Sequence, residues 1–159
     1  MRRSLLAQLL LAPLLLVTLL LVTLPGQAQT VQVGGAVLDQ AAMAALPQET
    51  ASLVLGAPPS AHRFQGPLLW SVLVAAHAVD PARYGEVPRQ TLTIEGRDHY
   101  VAVLAMGELS PEFAGKPAIL ALSMDGAPLS LPRVVMPGEH RAGRSVRDVV
   151  RLTVDEKPR

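Results

Sequence analysis

Proline and glycine interrupt the chain at short intervals, and this feature restricts its fold more than any other. The 159 residues include 14 prolines and 12 glycines. Proline ends helices and central strands, and glycine marks turns and bulges, so long elements are disfavoured after the first segment. We therefore expect a domain built from many short elements.

Short apolar runs that alternate with polar residues predict mainly strands. The clearest run is the last, in which Val150, Leu152 and Val154 alternate with polar side chains. Asp125-Gly126 is a strong turn signal after another apolar run. The predicted strands are Val31 to Val33, Ala51 to Leu55, His62 to Phe64, the arms of a hairpin from Gln90 to Val103, Ala118 to Leu122, and Val150 to Val154.

Two helices are predicted, and only one of them is substantial. The shorter helix runs from an Asp39 cap through Ala45. The longer helix begins at Gly66-Pro67 and carries an apolar stripe of Leu69, Val72, Leu73 and Ala76. Because strands dominate, we predict an α+β fold with a mixed β-sheet and few short helices.

Residues 1–28 have the three parts of a signal peptide. Two arginines open the segment, the run from Leu5 to Leu24 is apolar, and a break follows at Pro25. We predict cleavage after Ala28 and a periplasmic or secreted domain. Because the apolar run is about as long as a membrane-spanning helix, an uncleaved anchor is the alternative. The arginine pair matches a twin-arginine signal only loosely, which favours export of an unfolded chain.

Residues 29–159 are expected to form one domain. They contain slightly more acidic than basic residues, which gives no reason to expect nucleic acid binding. Cysteine is absent, so the domain has neither disulfides nor thiolate ligands. The chain also lacks a Gly-x-Ser-x-Gly string, a phosphate-binding glycine loop and zinc-type histidine spacing. No motif in the sequence therefore supports a hydrolase, nucleotide-binding or zinc-binding function.

The densest basic cluster lies shortly before the last predicted strand. It contains Arg133, His140, Arg141, Arg144 and Arg147. Guanidinium groups bind phosphate and carboxylate through paired N–H donors, so the cluster predicts an anion site. The alternative is a solvated loop whose arginines pair with Glu139 and Asp148 and contribute little.

Four sequence strings carry a family resemblance. The first is F-x-G-x-x-L from Phe64, and the second is G-x-D-x-Y from Gly96. The third joins P-x-x-L-A from Pro117 to D-G-x-P-L from Asp125, and the fourth joins R-V-V-M-P-G from Arg133 to G-R-S-V-R in residues 143–147. In this order they resemble the sulfite-oxidase-type molybdopterin-binding domain, over roughly residues 31–154.

The resemblance implies a molybdopterin-binding fold and a site for its cofactor. In catalytic members a cysteine thiolate binds molybdenum, and basic residues hold the phosphate and ring of the pterin. By this resemblance Arg147 meets the phosphate, with Ser145 and the Gly143 backbone beside it. Arg63 adds a second anion contact if its side chain faces the same pocket. The chain has no cysteine, and Ser130-Leu131-Pro132 stands where a His-Gly pair often precedes the arginine string.

Three functions remain open from the sequence. The first is a binding or accessory protein without molybdenum redox activity, which takes a small anionic ligand or an envelope protein. The second is an oxidoreductase that holds molybdopterin without a protein thiolate. The third is a structural module whose pocket is filled by Trp70, a residue that either fills the core or forms a pocket wall. The candidate ligand-binding residues are Arg63, Arg133, His140, Arg141, Arg144, Ser145 and Arg147.

Overall fold

Strands make up most of the chain that the structure describes. The structure is a computed structural model, and it describes residues 29–113, 115–139 and 141–156. The strands in these residues are β1 (Thr30–Val33), β2 (Ala36–Asp39), β3 (Gln48–Leu55), β4 (Ser60–Pro67), β5 (Gln90–Gly96), β6 (Val101–Ala105), β7 (Ile119–Met124), β8 (Ala127–Val135) and β9 (Val149–Glu156).

Helices are short within the same residues. The α-helices are α1 (Gln40–Ala44) and α2 (Leu69–Ala75), and short 3-10 segments occupy Pro81–Arg89, Met106–Glu108, Pro111–Phe113 and Ala142–Arg144. None of the helices in the described ranges has the length and apolar character needed to cross a membrane. The predicted leader, residues 1–28, lies outside the described residues.

The strands form two sheets. Sheet A has the order β2-β1-β9-β5-β6, and sheet B has the order β3-β4-β7-β8. Neighbouring strands are antiparallel except β1 and β9, whose Val33 and Leu152 are parallel partners. The predicted combination of many strands with few short helices is confirmed, and sheet A is mixed. Sheet B is a separate sheet that was not predicted, and it is antiparallel throughout.

The main core lies between sheet A, α2 and one face of sheet B. It contains Val33 of β1, Leu92 of β5 and Leu152 of β9, packed in one cluster with Leu73 of α2 and Leu120 of β7. All five side chains are fully buried. The alternation predicted for the last strand places Leu152 in this core, as expected for a strand with one buried face.

A second, smaller core covers the other face of sheet B. It is formed by Ala51, Leu53, Phe64, Ile119, Ala121 and Val135. Phe64 is fully buried. Strand β7 contributes Leu120 to the main core and Ile119 to the second core, so it is buried on both faces. Sheet B therefore lies between the two cores, and the face with the smaller core is the one that supports a site.

The main helix begins later than predicted. Strand β4 continues through Gly66 and Pro67, and α2 starts at Leu69, whose N–H donates to the Ala118 carbonyl at 2.8 Å. Gly66 stays in the sheet because its missing side chain allows the Leu120 carbonyl to approach; a Cβ there would clash with it. The predicted apolar stripe on this helix is confirmed.

Two strands were not predicted. Strand β2 follows β1 through a two-residue glycine turn and ends at the Asp39 cap. Its four residues are too few to show a clear alternation of apolar and polar side chains. Strand β8 contains Pro128 and Pro132, which have no N–H to donate to a neighbouring strand. It lies at the edge of sheet B, where a missing N–H costs no bond to a further strand. The turn before it has φ values of 50° at Asp125 and 83° at Gly126, as a type I′ turn requires.

Candidate functional site

An open cavity of about 420 Å³ lies over the second face of sheet B. Its walls come from the end of β3, from β8, from the turn between β5 and β6, and from the segment before β9. The lining residues are Leu55, Gly56, Asp98, Tyr100, Arg133, Ala142, Gly143, Ser145, Val146 and Arg147. Three of the predicted binding residues, Arg133, Ser145 and Arg147, are therefore brought together.

Arg133 is the most unusual side chain in this cavity. It lies on β8 opposite Ala121, and its guanidinium carbon is 5.5 Å from the centre of the Phe64 ring. Its Nε is buried and has no hydrogen-bond partner in the described part of the chain. Burial lowers the pKa of Arg133, the positive charge of Arg147 lowers it further, and Asp148 acts in the opposite direction. The side chain is thus a partly desolvated cation with unused donor capacity.

Arg147 supplies a second cation at the same cavity. Its side chain is exposed, and the described residues place no carboxylate within ion-pair distance of either Arg147 or Arg133. Two neighbouring guanidinium groups repel each other, and the charge of Arg147 adds to burial in lowering the pKa of Arg133. An anion between them would relieve this repulsion.

Buried backbone contacts hold the segment that carries Arg147. Ser145 is 2% exposed, and its hydroxyl accepts a hydrogen bond from the Met136 N–H at 3.1 Å. The Val134 N–H donates to the Val146 carbonyl at 2.9 Å. Gly96 packs so closely that a Cβ there would come 2.8 Å from the Arg147 carbonyl. Ser145 is therefore an anchor of the cavity wall, with its hydroxyl engaged by the backbone.

The turn between β5 and β6 adds two lining residues that the sequence analysis did not list as site residues. Asp98 accepts a hydrogen bond from the Tyr100 N–H at 3.1 Å, and the Tyr100 hydroxyl donates to the Gly143 carbonyl at 2.8 Å. Both belong to the G-x-D-x-Y string, which was the available signal for them. Asp98 therefore places one carboxylate on the wall of the cavity that Arg133 and Arg147 also line.

Arg144 and Arg141 lie on the far side of the loop from the cavity. Arg144 donates to Glu108 at 2.8 Å through Nη1 and to Glu139 at 2.8 Å through Nε. Hydrogen bonds to Glu108 and Glu139 raise the pKa of Arg144. Arg144 is therefore paired with Glu139, as the alternative interpretation of the basic cluster predicted for its arginines. Arg141 is exposed and lines a shallow neighbouring depression with Lys116.

The remaining two predicted site residues do not join the cavity among the described residues. Arg63 neighbours Phe64 on β4, and successive side chains of a strand point to opposite faces, so Arg63 faces away from Arg133. His140 lies outside the described residues. Trp70 is partly buried, packs against the main core and also lines a separate small pocket of about 170 Å³.

The arrangement can bind an anion but offers no metal site in the part of the chain that the structure describes. No group of three or more histidine, aspartate or glutamate side chains there could hold a metal ion. A comparison with protein-family models and a comparison with curated protein sequences find no match for this chain. The family resemblance therefore rests on the sequence strings alone.

Proposed function

We propose that this protein binds a small anionic ligand in the cavity between Arg133 and Arg147. The observation that carries the proposal is Arg133, a partly buried cation whose Nε has no partner and which lies beside a second cation. A buried charge is costly unless it is paired, so such a side chain is expected where a ligand completes the pairing.

The chemistry of the cavity favours a phosphate or carboxylate group. Guanidinium groups present two parallel N–H donors that match two oxygens of such an anion. The volume of about 420 Å³ lies within the range of roughly 300–1,000 Å³ that is usual for small-molecule sites. Asp98 and the Tyr100 ring supply an acceptor and an apolar surface for the rest of the ligand.

We also propose that the domain is an exported relative of the sulfite-oxidase-type molybdopterin-binding domain. The four sequence strings support this, and three of them contribute lining or supporting residues to the cavity: Phe64, Asp98, Tyr100, Arg133 and Arg147. The predicted signal peptide supports a periplasmic or secreted location. A binding or accessory role, with the small ligand or an envelope protein as partner, is then the function that we favour.

The two halves of a molybdopterin site fit this chain differently. Arg133 and Arg147 suit the phosphate end, and bound molybdopterin would supply redox chemistry through its metal. The chain contains no cysteine, so it has no thiolate with which to bind molybdenum. The residues present therefore support the phosphate end of such a site and not its metal end.

Calorimetric titration with inorganic phosphate tests the anion site. We expect Arg133→Met and Arg147→Met each to weaken binding by about tenfold or more, since a hydrogen bond to a charged group contributes about 1.5–3 kcal/mol. Arg63→Met is the matched control and should bind like the parent protein. Phosphate binding that survives the loss of both cavity arginines would contradict the site.

Isolation of the protein from its own host tests the absence of redox activity. We expect neither molybdenum nor pterin in stoichiometric amount. Stoichiometric cofactor would overturn the non-catalytic role and establish the alternative, an oxidoreductase that holds molybdopterin without a protein thiolate. In that case loss of the cofactor from Arg147→Met would still identify the phosphate contact.

A further inference from the structure

A serine, a histidine and an aspartate form a hydrogen-bonded chain at one end of sheet B. The Ser60 hydroxyl is 2.8 Å from Nε2 of His62, and Nδ1 of His62 is 2.7 Å from Oδ2 of Asp125. Ser60 and His62 lie two positions apart on β4 and so share one face, while Asp125 comes from the turn between β7 and β8. No sequence motif predicts this grouping, because Asp125 is 63 positions from His62 in the chain.

The chain of hydrogen bonds has one direction. A carboxylate only accepts, so Nδ1 of His62 carries the hydrogen that it donates to Asp125. In the neutral imidazole Nε2 is then an acceptor, and the Ser60 hydroxyl donates to it. This order, hydroxyl to Nε2 and Nδ1 to carboxylate, is the order in which a base activates a serine nucleophile.

Asp125 is fixed by the backbone as well as by His62. Its Oδ1 accepts from the Arg63 N–H at 2.8 Å, and its own N–H donates to the Arg63 carbonyl at 2.8 Å. Its φ of 50° belongs to the type I′ turn. These two hydrogen bonds to the Arg63 backbone hold the Asp125 carboxylate against Nδ1, and the carboxylate in turn sets the orientation of the His62 ring.

Ser60 lies next to a residue that lines the cavity described above. Its strand partner is Leu55, which lines the cavity that contains Arg133. Ser60 itself is exposed, so a substrate can reach its hydroxyl. Leu55 provides an apolar surface beside it for the acyl group of a substrate.

We infer that Ser60, His62 and Asp125 form a nucleophilic site that is acylated by small carboxylic esters. The Ser60 oxygen attacks the ester carbonyl carbon while His62 takes the hydroxyl proton at Nε2. The bond from that carbon to the alcohol oxygen then breaks, and the alcohol leaves with the proton. Water, deprotonated by His62 at Nε2, next attacks the acyl carbon; the bond from this carbon to the Ser60 oxygen breaks, His62 returns the proton to that oxygen, and the carboxylic acid leaves. The net reaction is ester and water to acid and alcohol, and it does not depend on the anion site.

Reaction of the purified protein with p-nitrophenyl acetate tests the inference. We expect a burst of nitrophenolate and a mass gain of one acetyl group, located on Ser60 by peptide mapping. Ser60→Ala should abolish both, and His62→Gln should slow acylation by about 10²-fold or more, the usual contribution of a general base. Ser52→Ala, which removes an exposed serine of the adjacent strand, is the control and should react like the parent.

Asp125 is a positioning residue, and a spectroscopic measurement isolates its role. Asparagine tolerates positive φ, so Asp125→Asn should keep the turn and the unfolding midpoint. We expect nitrogen-15 shifts of the His62 ring to show hydrogen on Nδ1 in the parent protein and a mixture of tautomers in Asp125→Asn, with slower acylation. Acetylation at another residue, a burst that persists in Ser60→Ala, or unchanged acylation in His62→Gln would overturn the site.

Discussion

At the scale of single residues, two arginines of the basic cluster line the cavity and a third, Arg144, is held by carboxylates. Arg133 and Arg147 were predicted to act together and do line one cavity. Arg144 was placed in the same group, but it pairs with Glu108 from a distant segment. Composition and spacing locate a cluster of arginines, whereas the carboxylate that each arginine meets is decided by tertiary packing. Sequence analysis therefore found the cavity's cations and could not distinguish them from the arginine that is already paired.

Gly66 shows a residue-scale requirement that can be measured. We expect Gly66→Ala to lower the free energy of unfolding by about 1–3 kcal/mol or more, because the new Cβ meets the backbone of β7, which cannot move aside. Chemical denaturation would measure the loss. Gly85→Ala is the control, since nothing lies within 4 Å of a Cβ at that position. Equal stability of the two variants would show that the close approach of β4 to β7 is not required.

Whole elements were predicted best where one face is buried and the other is exposed. The hairpin of β5 and β6 and the last strand follow this pattern, and their positions agree with the sequence analysis. Strand β8 departs from it, because its prolines are tolerated at a sheet edge, and the position of an edge is a property of the assembled sheet. The two-sheet arrangement was missed for the same reason: alternation gives the faces of a strand but not its neighbours.

Helix α1 owes its start to a side chain that the sequence analysis identified. The Asp39 Oδ1 accepts a hydrogen bond from the Ala42 N–H at 2.8 Å. Asp39→Ala should lower the free energy of unfolding by about 1 kcal/mol, the usual cost of losing such a cap. Asp39→Asn retains an acceptor and is expected to unfold close to the parent in thermal denaturation. A loss as large for asparagine as for alanine would mean that the hydrogen bond at Asp39 is not what stabilises the start.

At the scale of the whole molecule, sheet B separates two cores, and β7 is the strand that both share. Leu120 faces the main core while its neighbours Ile119 and Ala121 face the second core. Phe64 packs in the second core with Ile119 and Ala121 of β7, and Arg133 lies over the Phe64 ring. The position of Arg133 in the cavity therefore depends on the packing of β7. The global fold thus positions the site through a small cluster, which no local sequence pattern reveals.

Truncation of β7 side chains should therefore be costly. We expect Leu120→Ala to lower the free energy of unfolding by about 2–5 kcal/mol, as for other fully buried leucines. Val103→Ala, at a position that is 56% exposed on β6, should change it by less than about 0.5 kcal/mol. Urea denaturation measures both, and similar values for the two would contradict the assignment of Leu120 to the core.

The parallel pairing of β1 with β9 also constrains the order in which the molecule can assemble during synthesis. Strand β9, residues Val149–Glu156, lies in the middle of sheet A, between the strand that is made first and a strand made midway. While the chain is emerging from a ribosome, sheet A lacks its central strand and cannot close, whereas all four strands of sheet B precede β9 in the chain. Completion of sheet A must therefore wait until nearly all of the described chain has been made, so sheet B can form before sheet A.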